Sequence, residues 1–233
     1  MEIDVTQPDW WYDDLKQVGL DFEDEAEVAT YDARQGGSSD ADRALLTRLG
    51  VTPTTAMADI GCGTGLLACT AAKMAGSVRA IDVSAAMLRA AQARAKSQGL
   101  ANITFEREGF LTFAGSGDLD LIVTKAALHH LPDLWKAVAL TRMRDALKPG
   151  GRIYIRDVVF NCTPDAVPLT AARWIEDLIQ QSGYSRADGA CHVREEHSTF
   201  GWILERMISE AGFTLLERTH DGVYATYLAE APG

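Results

Sequence analysis

Between Asp59 and Asp82 the chain sets out the parts of a nucleotide site. The apolar run 56–60 reads as a buried strand ending in Asp59 and Ile60, and Gly61, Gly63 and Gly65 follow at alternate positions. The run 66–75 then reads as a helix. Glycines at such a turn accept positive φ and let a ligand lie directly on the backbone. A second strand, 78–81, ends in Asp82, seventeen positions after Gly65. In nucleotide-binding α/β folds an acid at the tip of the second strand takes the ribose hydroxyls as hydrogen-bond donors. Turn and acid together imply an adenosine-containing ligand. The spacing is G-x-G-x-G rather than G-x-G-x-x-G, so a seat for a pyrophosphate is not evident.

Three further groups could do chemistry. Asp157 ends the fifth strand, on the edge where ligands bind in open α/β sheets, and a local ion pair with Arg156 stands as the alternative. The stretch 191–199, Cys-His-Val-Arg-Glu-Glu-His-Ser-Thr, places His192 and Arg194 at the same parity. If extended, it turns both to one pocket, His192 as a base and Arg194 as an anion clamp. The plainer reading is a solvated loop in which Ser198 or Thr199 caps a helix running to Ala211. His129 and His130 are read as structural, because adjacent side chains at a strand–helix junction point apart; no metal is expected.

These residues need a frame. From Pro53 onward strands and helices alternate, as in parallel α/β folds. The helix 84–98 has Ser84 as N-cap and Gly99 as its stop. Strands are expected at 103–106, 119–123 and 152–156, with a helix at 134–147. Runs 213–219 and 223–230, joined by His220-Asp221-Gly222, read as a terminal hairpin. The excess between the fifth strand and this hairpin, 161–199, reads as an insertion with a helix near 169–181.

The segment Asp59-Ile60-Gly61-Cys62-Gly63-Thr64-Gly65 resembles motif I of class I S-adenosylmethionine (SAM) methyltransferases. Leu119-Asp120-Leu121-Ile122-Val123, Ala127-Leu128-His129-His130-Leu131-Pro132-Asp133 and Leu147-Lys148-Pro149-Gly150-Gly151 resemble later segments of that family, in the same order, within residues 56–157. The resemblance is to small-molecule methyltransferases that include the ubiquinone/menaquinone C-methyltransferases. It implies an α/β, Rossmann-like, seven-stranded and mostly parallel sheet with helices on both faces and a C-terminal antiparallel hairpin. Residues 1–50 would form a helical lid, and 51–233 a SAM-binding domain whose insertion at about 160–199 roofs the substrate.

The resemblance also assigns residues. Asp59, Gly61, Cys62, Gly63 and Gly65 would meet the methionine portion, Asp82 the ribose, and Val83 and Met87 the adenine. Lys125 and Ala126 would lie beside the methionyl group, and Tyr31, with Tyr12 and Arg34, would belong to the lid. Two positions depart from the pattern. Where many relatives place an acid for the adenine amino group, Gly109 aligns, next to Phe110, with Glu108 one residue away. Lys125 stands where a small polar residue is commoner; it either pairs with an acid of cofactor or substrate or snorkels at the strand end. Transfer of a methyl group from a sulfonium is an in-line displacement, so the site must align the acceptor and exclude water.

Composition narrows the acceptor. The formal charge is −11, and residues 1–28 hold ten acids against one base, Lys16. Without an offsetting basic cluster, a nucleic-acid partner is disfavoured. No apolar run approaches the roughly 20 residues of a membrane helix, and no secretory leader is expected. Cysteines 62, 69, 162 and 191 form no CxxC pair, as expected of reduced thiols in a cytoplasmic protein. The expected function is SAM-dependent methylation of a small molecule at O, N, S or C, with S-adenosylhomocysteine (SAH) as product. A non-catalytic SAM- or nucleoside-binding partner, or a tRNA or protein methyltransferase, is the alternative. Oligomeric state is left open.

Overall fold

The computed structural model describes residues 8–16 and 22–233; Glu2, Asp4 and Asp21 of the acidic run lie outside them. After helices α1 (Glu25–Arg34) and α2 (Ser39–Arg48) come β1 (Ala56–Ile60), α3 (Leu66–Ala72), β2 (Ser77–Ile81), α4 (Ala85–Ser97), β3 (Ile103–Glu106) and β4 (Leu119–Lys125). A 3-10 turn (Leu128–His130) leads into α5 (Asp133–Ala146) and the long β5 (Leu147–Phe160). Then follow α6 (Val167–Ser182), α7 (Arg186–Glu195), the two-residue β6 (Thr199–Phe200), α8 (Gly201–Glu210), β7 (Thr214–Asp221) and β8 (Tyr224–Glu230).

The sheet runs β3-β2-β1-β4-β5-β8-β7, with β6 beside β5. Strands β1 to β5 pair in parallel, while β8 pairs antiparallel with both β5 and β7. This is the expected Rossmann-like sheet with its terminal hairpin, plus the short β6. The strand order reverses between β1 and β4, and ligands of open α/β sheets bind outside the carboxyl ends at that switch.

Alternate residues of the central strands feed two cores, as a period of two requires. Met57, Val78, Ala80, Leu121 and Val123 pack with Leu46 of α2 and Leu67 and Ala71 of α3. Ala58, Ile81, Ile122 and Ile153 pack on the other face with Leu140 and Met143 of α5 and Leu204 and Ile208 of α8. Each valine, leucine, isoleucine or methionine among them, fully buried, contributes roughly 1.5–3 kcal/mol. A third cluster joins Val158 and Phe160 of β5 to Ala171 and Trp174 of α6, which seats the insertion on the sheet.

Helix α4 starts as expected, with Ser84 Oγ accepting the Met87 N–H at 3.0 Å. The helix after 199 does not: its N-cap is Phe200, and Thr199 is in β6. Asp157 lies inside β5 rather than at its end. No helix among the described residues is long and apolar enough to cross a membrane.

Candidate active site

The chain leaving β1 turns sharply because Gly61 and Cys62 both donate their N–H to the Ile81 carbonyl at 2.9 Å. Gly61 has φ +76°, and a Cβ there would lie 2.3 Å from Cβ of Ala127, so this position must be glycine. The turn delivers the Gly63 N–H to Oδ2 of Asp82 at 2.8 Å, while Oδ1 accepts from Ser84 N at 2.9 Å. Asp82 is buried, and burial pushes its pKa up against those two donors. Each of its oxygens has a lone pair left for a hydroxyl donor.

Helix α1 lies over this turn. Asp32 accepts from Thr64 Oγ1 at 2.5 Å and pairs with Arg94 of α4. The Tyr31 ring comes within 3.2 Å of where a Cβ on Gly63 would be. Gln35 donates from Nε2 to the Tyr184 hydroxyl at 3.0 Å, which ties α1 to the loop between α6 and α7.

Beneath these elements lies a cavity of about 420 Å3. Gly61, Gly63, Asp82, Val83, Met87 and Gly109 line it, together with Tyr31, Phe110 and Ala126. Its wall continues through His129, His130, Trp174, Tyr184, His192, Glu196 and Tyr224. Cavities of this size suit ligands of cofactor or metabolite dimensions.

The histidine wall is built from distant segments. The 196–199 segment is stapled to the 128–133 turn by three contacts. His197 N donates to the His129 carbonyl at 2.8 Å, Thr199 Oγ1 to Asp133 at 2.9 Å, and the buried Lys136 to both Asp133 and the His197 carbonyl. Glu196 is thereby held 3.1 Å from Nε2 of His129, whose Nδ1 meets Asp157. Burial alone would lower the His129 pKa, but Asp157 and Glu196 outweigh it and push it up to about 9. Burial and the neighbouring His129 push His130 down to about 3, so it is neutral. Burial opposes ionisation of Glu196 too, yet hydrogen bonds from His129 and His192 hold it well below the usual carboxylate range. His192 meets Glu196 through Nδ1 and Ser198 Oγ through Nε2, the latter at 3.0 Å, and burial lowers its pKa.

Several sequence expectations are corrected here. Residues 186–195 form a helix, so His192 and Arg194 do not share a face; Arg194 is exposed and pairs with Glu195 at 2.5 Å. His129 and His130 do not point apart, their rings being 4.3 Å apart between centroids. Asp157 stands behind His129 rather than on the cavity wall, and Arg156 lies over the Tyr224 ring instead of pairing with it. Lys125 is held by Asp42 at 2.7 Å. Asp59, Cys62, Gly65 and Lys125 are absent from the described cavity lining. Gly65 instead permits close packing of the turn on Ala91 of α4.

Sequence reasoning missed Asp14. Its buried carboxylate accepts the Leu111 N–H at 2.6 Å and occupies the space beside Gly109, where a Cβ would meet Oδ2 at 2.2 Å. Burial pushes its pKa up, against that hydrogen bond. Asp14 thus brings a second acid beside Gly109, and both it and Glu108, whose Oε2 is buried without a hydrogen-bond partner among the described residues, line the cavity. Glu196 was also missed as a wall residue, although it lies within the 191–199 cluster.

Residues 57–151 match the family described as a methyltransferase domain. An uncharacterized methyltransferase of Mycobacterium tuberculosis is 34% identical over 113 residues, covering 48% of this chain and 55% of that protein. A ubiquinone biosynthesis O-methyltransferase of Cupriavidus pinatubonensis is 27% identical over 123 residues, covering 52% of this chain and 48% of the relative. The chain thus spans about half the length of the curated relatives it matches. Among solved structures, the N-methyltransferase NodS of Bradyrhizobium japonicum, in complex with S-adenosyl-L-homocysteine, superposes with a TM-score of 0.58 at 20% identity, over 82% of this chain and 86% of its own. Matched residues, sheet order and the glycine turn agree in likening residues 57–151 to a methyltransferase domain.

Proposed function

We propose that this chain transfers a methyl group from SAM to a small-molecule acceptor held in the cavity between the glycine turn and the histidine wall. The observation that carries this reading is the continuity of one cavity from Gly61, Gly63 and Asp82 to His130 and His192. The residues present fit the group. Asp82 offers two buried oxygens for ribose hydroxyls, Val83, Met87 and Phe110 offer an apolar slot for a base, and Asp14 borders that slot beside Gly109. Asp59 Oδ2, buried and without a hydrogen-bond partner among the described residues, lies under the same turn.

When bound, SAM supplies a sulfonium-activated methyl group. The chain's own residues supply position and dryness. Tyr31 and Tyr184 narrow the cavity from α1 and the insertion, which limits the water beside the acceptor. Glu196 accepts the Nδ1–H of His192 and so leaves Nε2 as the basic nitrogen. An acceptor bearing O–H or N–H, seated in place of the Ser198 hydroxyl, passes its proton to Nε2. Thioether, sulfhydryl and carbon acceptors fit the same cavity, and the wall chemistry favours those with a proton to lose.

A cavity of about 420 Å3 bordered by α1 and α6 is of a size for a small acceptor beside the cofactor. The acidic balance further weighs against nucleic acid. The four cysteines are free thiols, in keeping with a cytoplasmic location. Calorimetric titration of SAH tests the cofactor half: wild type binds with one site, and Asp82→Ala loses well over tenfold in affinity by removing ribose hydrogen bonds to a charged group. Equal affinity in the variant overturns the site. A radiolabelled methyl-transfer screen over small metabolites tests the other half, and tight SAH binding with no acceptor favours the non-catalytic binding partner.

A further inference from the structure

The histidine wall has the composition of a metal site. One ligand-type atom each from His129, His130 and Glu196 lies within 4.8 Å of the other two, and all three residues line the cavity. Two imidazoles and a carboxylate are a donor set suited to zinc and neighbouring divalent ions, commonly with further positions left to water or substrate.

The surroundings are those that metal ligands require. Asp157 takes Nδ1 of His129, which orients Nε2 toward Glu196, and His192 Nδ1 steadies the Glu196 carboxylate. A carboxylate behind a histidine of this kind fixes the tautomer and strengthens the nitrogen facing the metal. His130 supplies the independent sign. Its Nδ1 is buried and has no hydrogen-bond partner among the described residues. Leaving such an atom unsatisfied costs about 1–3 kcal/mol, and a cation bound by that nitrogen would remove the cost.

Charge points the same way. Asp157 and Glu196 bring two carboxylates to His129, which can carry only one positive charge between them. The other groups facing the cluster are His192 and, through its backbone, His197, while Lys136 is taken by Asp133 and the His197 carbonyl. A divalent ion would stand where His129 Nε2 now shares a proton with Glu196.

We propose that His129, His130 and Glu196 bind a divalent first-row transition ion of the zinc type, with its remaining coordination positions toward the cavity. Such an ion would hold an anionic oxygen of the acceptor, a phenolate, enolate or carboxylate, against the wall. The inference goes beyond methyl transfer and does not depend on it.

The test uses tag-free full chain, stripped with a chelator and titrated with Zn2+ by calorimetry and with Co2+ by visible absorption. The expected result is one equivalent bound and d–d bands from imidazole and carboxylate ligands. His130→Ala and Glu196→Gln should each weaken binding more than tenfold, and Asp157→Asn about 10–100-fold as the group behind a ligand. Far-UV circular dichroism like that of wild type shows that these variants fold, and SAH titration of the metal-free and the zinc-loaded wild type separates this result from the methyltransferase reading. If a variant fails to fold, X-ray absorption on zinc-loaded wild type decides, with two imidazoles and one carboxylate expected. Absence of stoichiometric binding to wild type, binding unchanged in folded His130→Ala and Glu196→Gln, or another ligand set overturns the proposal.

Discussion

Asp14 and Gly109 are matched to one another: the Oδ2 of Asp14 lies 2.2 Å from the point where a Cβ on residue 109 would stand. The N-terminal segment thus brings an acid beside the loop after β3, where Glu108 also lines the cavity, and glycine at 109 leaves the space for it. The same carboxylate accepts the Leu111 N–H at 2.6 Å, so the pair also fixes the loop after β3.

Gly109→Ala therefore expels Asp14. We expect the variant to fold, since the clash is with a side chain that can swing out, and to bind SAH about tenfold more weakly, or roughly 1.4 kcal/mol. Calorimetric titration checks it. Affinity equal to wild type would mean that Asp14 does not border the bound cofactor.

His192→Ala removes the basic nitrogen oriented by Glu196. With an acceptor that carries a proton, turnover should fall by about 100-fold or more, while SAH affinity stays near wild type. Steady-state rates beside calorimetry give the split. Equal turnover would leave the Ser198–His192–Glu196 chain a structural one.

Asp59 predicts a pH effect on stability. Burial, opposed by Lys125, pushes its pKa up to about 7. The folded-state value lies above the unfolded one, so the native state holds an extra proton between about pH 4 and 7. The stability that this proton provides is complete below about pH 4 and is lost as pH rises toward 7. Asp59→Asn stays neutral throughout. Its Tm relative to wild type should therefore rise from pH 5 to about pH 7 and level off above it, read by thermal unfolding. Parallel curves would contradict the buried carboxylate as the cause.

The parts legible in the sequence were those set by local pattern. The glycine turn, Asp82 and the Ser84 cap stand where composition and spacing put them, because each is fixed by φ, by strand period or by a bond three residues away. The 191–199 cluster was misread for a physical reason. Alternation holds for strands, but α7 turns about 100° per residue, which carries Arg194 to solvent while His192 faces the cavity. A local signal was present, since Ser185 and Asp188 form a capping box that starts this helix.

Other pairings had no local signal. Lys125 with Asp42, Asp14 with Gly109, and His129 with Asp157 and Glu196 join segments far apart in the chain. Whether His129 and His130 diverge depends on the backbone between them, and a 3-10 turn rather than a strand end brings both rings to one wall. Histidines that look incidental in the sequence thus become the polar end of the cavity.

The most direct measurement is a crystal structure of the chain with SAH. We expect the ribose hydroxyls on the Asp82 carboxylate, the adenine between Val83 and Phe110 beside Asp14, and the sulfur facing the cavity wall formed by His130 and His192. SAH bound elsewhere, or a chain that takes up none at saturating concentration, would contradict the methyltransferase reading of this cavity.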